Sequence, residues 1–418
     1  MPTPLPATPT AEIIAIGSEL LAPDRTDTNS LWLTEKLNSI GIEVKLKTIV
    51  GDDDARLEEA IKDATRRSKF VITTGGLGPT EDDITRKVAA RALGRRLLLD
   101  ETILAELREK FRSFGHVMPE RNSRQAMVIE RAEVLPNPNG SAPGLFIEHE
   151  GVCVVLLPGP PREMRPMFEN HVLAKLEASA GSVKISRRML RVAGLGESAV
   201  DEKIAPIYTQ YDNPQTTILF NQSEIEIHLT ARGRTEAEAG ALLDRLSEQL
   251  EERLGNSVFS FAGEKMEEVV ALKLTVGGYT LSVAESCTGG LIAQRLTDVP
   301  GSSKFFIEGA VTYSNDAKTR ALGVEPVLLL EHGAVSAPVA EAMAEGMRKR
   351  AHTDFALSVT GIAGPGGGSE EKPVGLVYIA LADDAHTEHR KLIIPGDRQL
   401  IRWRASQAAL YLLRRRLI

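Results

Sequence analysis

The strongest constraint on the fold is a recurrence of short apolar runs, each halted by Gly or Pro and followed by an amphipathic stretch. AEIIAIG (Ala11–Gly17), FVITTGG (Phe70–Gly76) and GVCVVLLPGPPREM (Gly151–Met164) have this form. Helical periodicity falls between them, over Asn29–Ile40 and Arg56–Ser68, with a second strand in GIEVKLKTIV (Gly41–Val50) and a helix starting near Glu163. A strand apolar at nearly every position is covered on both faces. Strand–helix alternation achieves that in a parallel α/β sheet, whose ligand loops lie at the strand C-termini.

The character changes over residues 184–261. Strand Ser186–Val192, helix Glu197–Tyr208, strands Thr216–Phe220 and Glu224–Ala231, helix Thr235–Leu254 and a closing strand form a β-α-β-β-α-β series. That order reads as a small α+β module with a scaffold or interface role. From Glu264 a helix (Lys265–Val276) leads to the strands TLSVAES, FALSVTG and GLVYIALA, again α/β. The expected organisation is therefore a disordered Pro/Thr-rich tail (1–10), an N-terminal parallel-sheet domain (11–178), a small α+β domain (184–261) and a C-terminal α/β domain (264–418).

Composition narrows the functions. The net charge is −7 and basic residues are scattered, which disfavours nucleic-acid binding but leaves small anionic ligands open. No apolar run approaches the roughly 20 residues of a membrane span, and two cysteines, Cys153 and Cys287, make no disulfide framework. A reducing cytoplasm is the expected compartment.

Two groups of motifs carry chemistry. TTGGLGPTEDDIT (Thr73–Thr85) joins a strand end, three glycines (Gly75, Gly76, Gly78) and the acids Glu81, Asp82 and Asp83 ahead of a helix. Glycines let a phosphate approach the backbone, whereas the acids repel it; a divalent ion such as Mg²⁺ bridging carboxylate and phosphate reconciles the two. Acids in a first helical turn also simply complement the helix dipole. GSELLAPDRTDTNS (Gly17–Ser30), with Asn29, and PGPPREM, with Arg162 and Glu163, end neighbouring strands and are expected to converge on the same crevice.

In the last third, AESCTGG (Ala284–Gly290) places Ser286 on a strand-to-helix turn, where a helix dipole favours a nucleophile and an oxyanion. VTYSNDAK supplies Tyr313 and Lys318, SVTGIAGPGGGSEEKPVG supplies Thr360, Gly361 and a Gly-rich loop, and GDRQLIR supplies Arg398 and Arg402. An amide hydrolase needs a nucleophile, a proton carrier and an oxyanion site. Ser286 with Lys318 as base meets the first two needs, with Tyr313 relaying a proton or orienting the lysine. The turn residues Thr288, Gly289 and Gly290, with Thr360, Gly361 and the arginines, are candidates to hold amide or phosphate. A serine before Gly-Gly is also a common helix cap. Cys287, with His332 of EHGAVS as base, is a rival nucleophile that spacing alone does not separate from Ser286.

These motifs carry a family resemblance. GSELL, DTNS, TTGGLGPTEDDIT, PNPNGSAPG (Pro136–Gly144) and PGPPREM, in that order, resemble the N-terminal domain of CinA proteins, itself similar to molybdopterin-binding MoaB/MogA domains. The resemblance implies metal-dependent hydrolysis of the pyrophosphate of ADP-ribose, with Asp83, Asp82 and Glu163 near the metal and Asn29, Gly75, Gly76 and Gly78 near phosphate or ribose. APDRTDTN (Ala22–Asn29) departs from the family's GQIVDTN by a lost glycine and an added Arg25. AESCTGG, VTYSNDAK, HGAVS and TGIAGPGGGSEEKPVG are similar to the PncC-type nicotinamide-nucleotide amidases, the CinA C-terminal domain. This implies conversion of nicotinamide mononucleotide to nicotinate mononucleotide and ammonia without metal, through Ser286 with Tyr313 and Lys318 as proton partners. It further implies a homodimer. Two other readings stay open: an N-terminal domain that only binds a pterin or nucleotide, and a regulatory partner in competence or DNA damage.

Overall fold

The structure is a computed structural model that describes residues 8–113, 115–181, 183–221 and 224–418. Residues 1–7 of the expected tail lie outside the described residues. Thr10, assigned to the tail from sequence, instead opens a strand: its carbonyl accepts Lys69 N–H at 3.1 Å. The chain divides into two compact units, Met1–Ser186 with Ala231–Ala241, and Arg187–Thr230 with Leu242–Ile418.

In the first unit the strands are β1 (Thr10–Ile16), β2 (Glu43–Val50), β3 (Phe70–Thr74), β4 (Leu97–Leu99), β5 (Met127–Ile129), β6 (Glu133–Leu135), β7 (Gly144–His149) and β8 (Val152–Leu157). Six of them form one sheet in the order β2-β1-β3-β8-β7-β6, and β4 pairs with β5 apart from it. The four strands read from sequence run parallel, β1 between β2 and β3, with β8 beyond β3. The sheet as a whole is mixed, because β7 and β6 add antiparallel strands. A two-residue loop causes the reversal: Glu150 (φ 49°) and Gly151 (φ 83°) both adopt the left-handed region a tight hairpin needs. Alternation in β1 serves two cores. Ala11 and Ile13 pack with Leu33 and Leu37 of helix Thr28–Ser39, while Ile14 and Ile16 pack with Leu57 and Ile61 of helix Asp54–Arg67.

The second unit contains strands β9 (Lys184–Val192), β10 (Gln215–Asn221), β11 (Glu224–Gly233) and β12 (Val258–Ser260), ordered β10-β11-β9-β12. Its other sheet comprises β13 (Leu281–Glu285), β14 (Phe306–Val311), β15 (Phe355–Gly361), β16 (Leu376–Ala382) and β17 (Thr387–Ile393), ordered β14-β13-β15-β16-β17. β14, β13 and β15 are parallel; β16 and β17 return antiparallel. β13 is buried throughout, Val283 facing one core and Ala284 another. The three parallel strands therefore deliver the ends of β13, β14 and β15 to one edge.

A buried polar network runs through this unit. Arg295 donates to Glu267 (2.6 Å), Ser406 (2.8 Å) and Gln407 (2.5 Å), its guanidinium lying 4.4 Å over the Trp403 ring. Gln407 bonds Glu224, which pairs with Arg191 at 2.8 Å. The C-terminal helix Arg398–Arg416 is the spine that carries Ser406 and Gln407. Among the described residues no helix is long and apolar enough to cross a membrane.

Candidate active sites

In the first unit the loops after β1, β3 and β8 line one cleft of about 590 Å³. Asn29, Gly75, Gly76, Gly78, Asp82, Asp83 and Glu163 all border it, as does Arg25. Asn29 ties the three loops together, its Nδ2 donating to Thr74 Oγ1 (3.0 Å) and to Gly159 O (2.7 Å) while its Oδ1 is buried without a partner. Gly75 is obligatory: φ is 105°, and a Cβ there would sit 2.1 Å from Ile16 O. Asp83 Oδ2 accepts Thr80 N–H at 2.8 Å, and Glu163 Oε2 accepts Asn137 Nδ2 at 2.8 Å.

Sequence reasoning missed Arg86. Its buried guanidinium donates to Leu77 O (2.6 Å) and Pro143 O (3.0 Å), tying the Gly-rich loop to the segment beside Ala142, and burial lowers its pKa to about 10. Among the described residues, no three acids, histidines or cysteines gather into a ready metal-ligand group. The fixed Asp83 carboxylate, at the mouth of a Gly-rich loop, nevertheless suits an ion completed by ligand oxygens and water, as Mg²⁺ prefers.

In the second unit the end of β13 fixes Ser286. Its N–H donates to Val359 O of β15 (2.9 Å), while Glu285 O accepts Thr312 N–H at the end of β14 (2.8 Å). Ser286 is only 8% exposed and Lys318 only 1%. Lys318 sits on helix Asn315–Leu322, capped by Ser314, and reaches back under the sheet edge. Its Nζ lies 3.2 Å from Ser286 Oγ, 2.9 Å from Thr312 O and 3.3 Å from Tyr313 O. Among the described residues no carboxylate partners it there, and burial holds its pKa below the ordinary lysine value. A neutral amine has two N–H groups for the two carbonyls and one lone pair for the Ser286 hydroxyl proton.

The other sequence candidates fall into place around this pair. Tyr313 reaches Lys318 through its carbonyl; its side chain is 60% exposed and its hydroxyl meets Arg398 Nη2 at 3.1 Å. Arg398 also donates to Gly364 O (2.8 Å), and Arg402 donates twice to Thr288 O (2.7 and 3.1 Å). Thr360 Oγ1 donates to Ala334 O at 2.8 Å. Gly289 and Gly290 take left-handed φ of 61° and 93°, and a Cβ on Gly361 would meet Val377 at 2.7 Å. Thr288 Oγ1 and Thr312 Oγ1 are buried without hydrogen-bond partners among the described residues.

One expectation is corrected. The helix after Ser286 does not offer its N-terminus to a ligand, because the buried Glu285 carboxylate takes the N–H groups of Gly290 (3.0 Å), Ile292 (3.2 Å) and Ala293 (2.9 Å). A carboxylate there neutralises the dipole and freezes the turn. Glu285 was legible only as a strand residue. The thiol of Cys287 lies in the hydrophobic core and burial pushes its pKa up to about 12, so it carries almost no thiolate near neutrality. His332 is exposed, with Glu331 its ionic neighbour at 3.9 Å.

Comparison with known proteins defines the class. Residues 12–178 match the family model described as "Probable molybdopterin binding domain", 187–260 that of the "Damage-inducible protein CinA KH domain", and 263–417 that of the "CinA C-terminal domain". A "CinA-like protein" of Koribacter versatilis is 50% identical over 412 residues, covering 98% of this chain and 100% of that protein. Another, of Solibacter usitatus, is 50% identical over 409 residues, covering 97% and 98%. The chain belongs to the CinA family. Among solved structures, the competence/damage inducible protein CihA from Agrobacterium tumefaciens is 44% identical, covering 36% of this chain and 94% of that one, with a TM-score of 0.35.

Proposed function

We propose that the second unit hydrolyses the carboxamide of nicotinamide mononucleotide to nicotinate mononucleotide and ammonia. The observation that carries this reading is the buried Lys318 Nζ, 3.2 Å from Ser286 Oγ and braced by two carbonyls. Ser286 Oγ attacks the carboxamide carbon as its proton passes to Lys318. The tetrahedral intermediate collapses, Lys318 returns the proton to the departing nitrogen, and ammonia leaves an ester on Ser286. Water, deprotonated by the same amine, cleaves the ester, releasing the carboxylate and restoring the serine. Arg398 and Arg402 brace the surrounding loops and keep further N–H donors for the nucleotide phosphate. Tyr313, through its carbonyl on Lys318 and its hydroxyl on Arg398, positions both. The test is ammonia release by wild type, Ser286→Ala, Lys318→Ala and Cys287→Ala. The first two variants lose nearly all activity and the third keeps most of it; full activity in Ser286→Ala overturns the reading.

The cleft of the first unit favours a second activity, hydrolysis of the ADP-ribose pyrophosphate, because Asn29, Gly75, Gly76, Gly78, Asp82, Asp83 and Glu163 all border it, although Glu81 and Arg162 do not. Asp83, with Asp82 and Glu163, would hold a divalent ion such as Mg²⁺. Such an ion supplies a water of lowered pKa and neutralises pyrophosphate charge. Gly75, Gly76 and Gly78 bring backbone to the phosphates and Asn29 faces the ribose. Chelator-sensitive release of AMP from ADP-ribose supports turnover; binding without release leaves the domain a nucleotide- or pterin-binding module. The homodimer implied by the family is checked by sedimentation.

A further inference from the structure

The cleft of the first unit has a charge pattern that metal binding alone does not explain. Its charged lining is Glu19, Asp27, Asp52, Asp82, Asp83 and Glu163 against a single cation, Arg25. Four of the acids are already engaged by protein donors. Asp27 accepts Ser30 N–H (3.0 Å), Asp52 accepts Ser18 N–H (2.9 Å), Asp83 accepts Thr80 N–H (2.8 Å) and Glu163 accepts Asn137 Nδ2 (2.8 Å). These bonds fix carboxylates that cap turns and helices. The Arg25 guanidinium, by contrast, finds no hydrogen-bond or ion-pair partner among the described residues, although six acids line the same cleft.

The backbone holds Arg25 in place. Its N–H donates to Ala22 O (3.3 Å), closing a turn between the short helix Ser18–Leu21 and the Asp27 cap of helix Thr28–Ser39. The arginine therefore comes off the β1 loop, whereas Asp83 and the glycines come off the loop of the adjacent strand β3. A ligand with one phosphoryl group would be served by the β3 loop and the divalent ion it would hold. Near neutrality a monophosphate and the ADP-ribose pyrophosphate carry about the same charge, roughly two, but the pyrophosphate spreads it over two phosphoryl groups, and the acidic wall repels the second group unless a cation meets it.

We propose that Arg25 is the specificity residue of this cleft, a guanidinium clamp that selects substrates with a phosphoanhydride over monophosphates. The proposal rests on the metal-dependent pyrophosphatase reading of the first unit. A planar guanidinium pairs with two phosphate oxygens at once, which a lysine ammonium cannot reproduce. Exposure of the side chain makes the interaction sensitive to salt.

The test is calorimetric titration in Mg²⁺ with AMP and with the methylene-bridged analogue of ADP-ribose, which binds without being cleaved. Wild type, Arg25→Ala and Arg25→Lys are compared, with thermal unfolding as the fold check. We expect Arg25→Ala to bind the bridged analogue at least about ten-fold more weakly and AMP within about two-fold of wild type, with Arg25→Lys between. Unchanged affinity for the analogue in Arg25→Ala overturns the clamp but leaves the pyrophosphatase reading intact. Equal losses for both ligands overturn the selectivity. Failure of wild type to bind the analogue removes the pyrophosphatase reading itself, and the clamp with it.

Discussion

Replacing Lys318 tests the chemistry of the second unit most directly. With Nζ removed, the Ser286 hydroxyl keeps its place on the β13 edge but loses the base 3.2 Å away. Loss of a general base costs about 10²–10⁴ in rate, roughly 3–5 kcal/mol of barrier. Lys318→Met therefore falls at least about a hundred-fold in kcat for ammonia release. Lys318→Arg falls as far, since guanidinium stays protonated and offers no lone pair. Stability has its own signature. Burial lowers the folded pKa of Lys318 below 10.5, so between the two values the unfolded chain holds a proton that the folded chain lacks. The buried charge penalises folding fully below that window, and the penalty disappears as pH rises through it. Wild-type stability should thus climb with pH toward 10.5 relative to Lys318→Met, and the wild-type rate should rise with one proton lost over the same limb. Chemical denaturation and initial rates, measured from pH 6 upward, read both. A Lys318→Met or Lys318→Arg protein retaining more than a tenth of the rate would refute the assignment.

Glu285→Gln leaves one carbonyl oxygen where two carboxylate oxygens now serve three N–H groups, and it buries an amide without an acceptor. We expect a loss of about 2–4 kcal/mol in denaturant unfolding and a fall in kcat larger than any change in KM, because the Ser286 turn loosens; a neutral substitution would refute the cap. Arg295→Met strands the buried Glu267 carboxylate and should cost about 3–5 kcal/mol, with partial recovery in the Arg295→Met, Glu267→Leu double variant, as a double-mutant cycle would show. Cys287, its thiol pushed to about 12, should resist iodoacetamide in the native protein at pH 8 and react on unfolding; rapid native labelling, followed by mass spectrometry, would contradict its burial.

Sequence made visible what burial on both faces makes redundant. β1, β3, β8, β13 and β15 are buried at nearly every position and built mostly of apolar residues, so their ends, and the loops that line both sites, stood out. What stayed hidden depends on pairing between distant or irregular pieces. The β7–β8 hairpin turns on Glu150–Gly151, a dipeptide with only the glycine as a signal, and without it the six-stranded sheet read as wholly parallel. Edge strand β14 alternates half-buried and exposed positions, and its apolar residues are interrupted by Glu308 and Gly309.

The same distinction runs through the residues of the candidate site. Ser286 stood out because a strand-to-helix turn is a local pattern. Lys318 was found as a residue type, but its function comes from a fold that closes 32 positions of chain and buries an amine against two carbonyls. Tyr313 shows the limit most clearly: the motif names a phenol, yet the atom that meets the lysine is its carbonyl, and the hydroxyl serves Arg398 instead. Glu285 inverts an expectation for a related reason. A helix N-terminus beside a nucleophile suggests an anion site, but the residue preceding the nucleophile fills that site with its own carboxylate. On the proposed reading Ser286 activation therefore rests on the desolvated lysine and not on the helix dipole, so the two contributions separate experimentally: variants at Lys318 change the pH limb, whereas variants at Glu285 change the rate at its plateau.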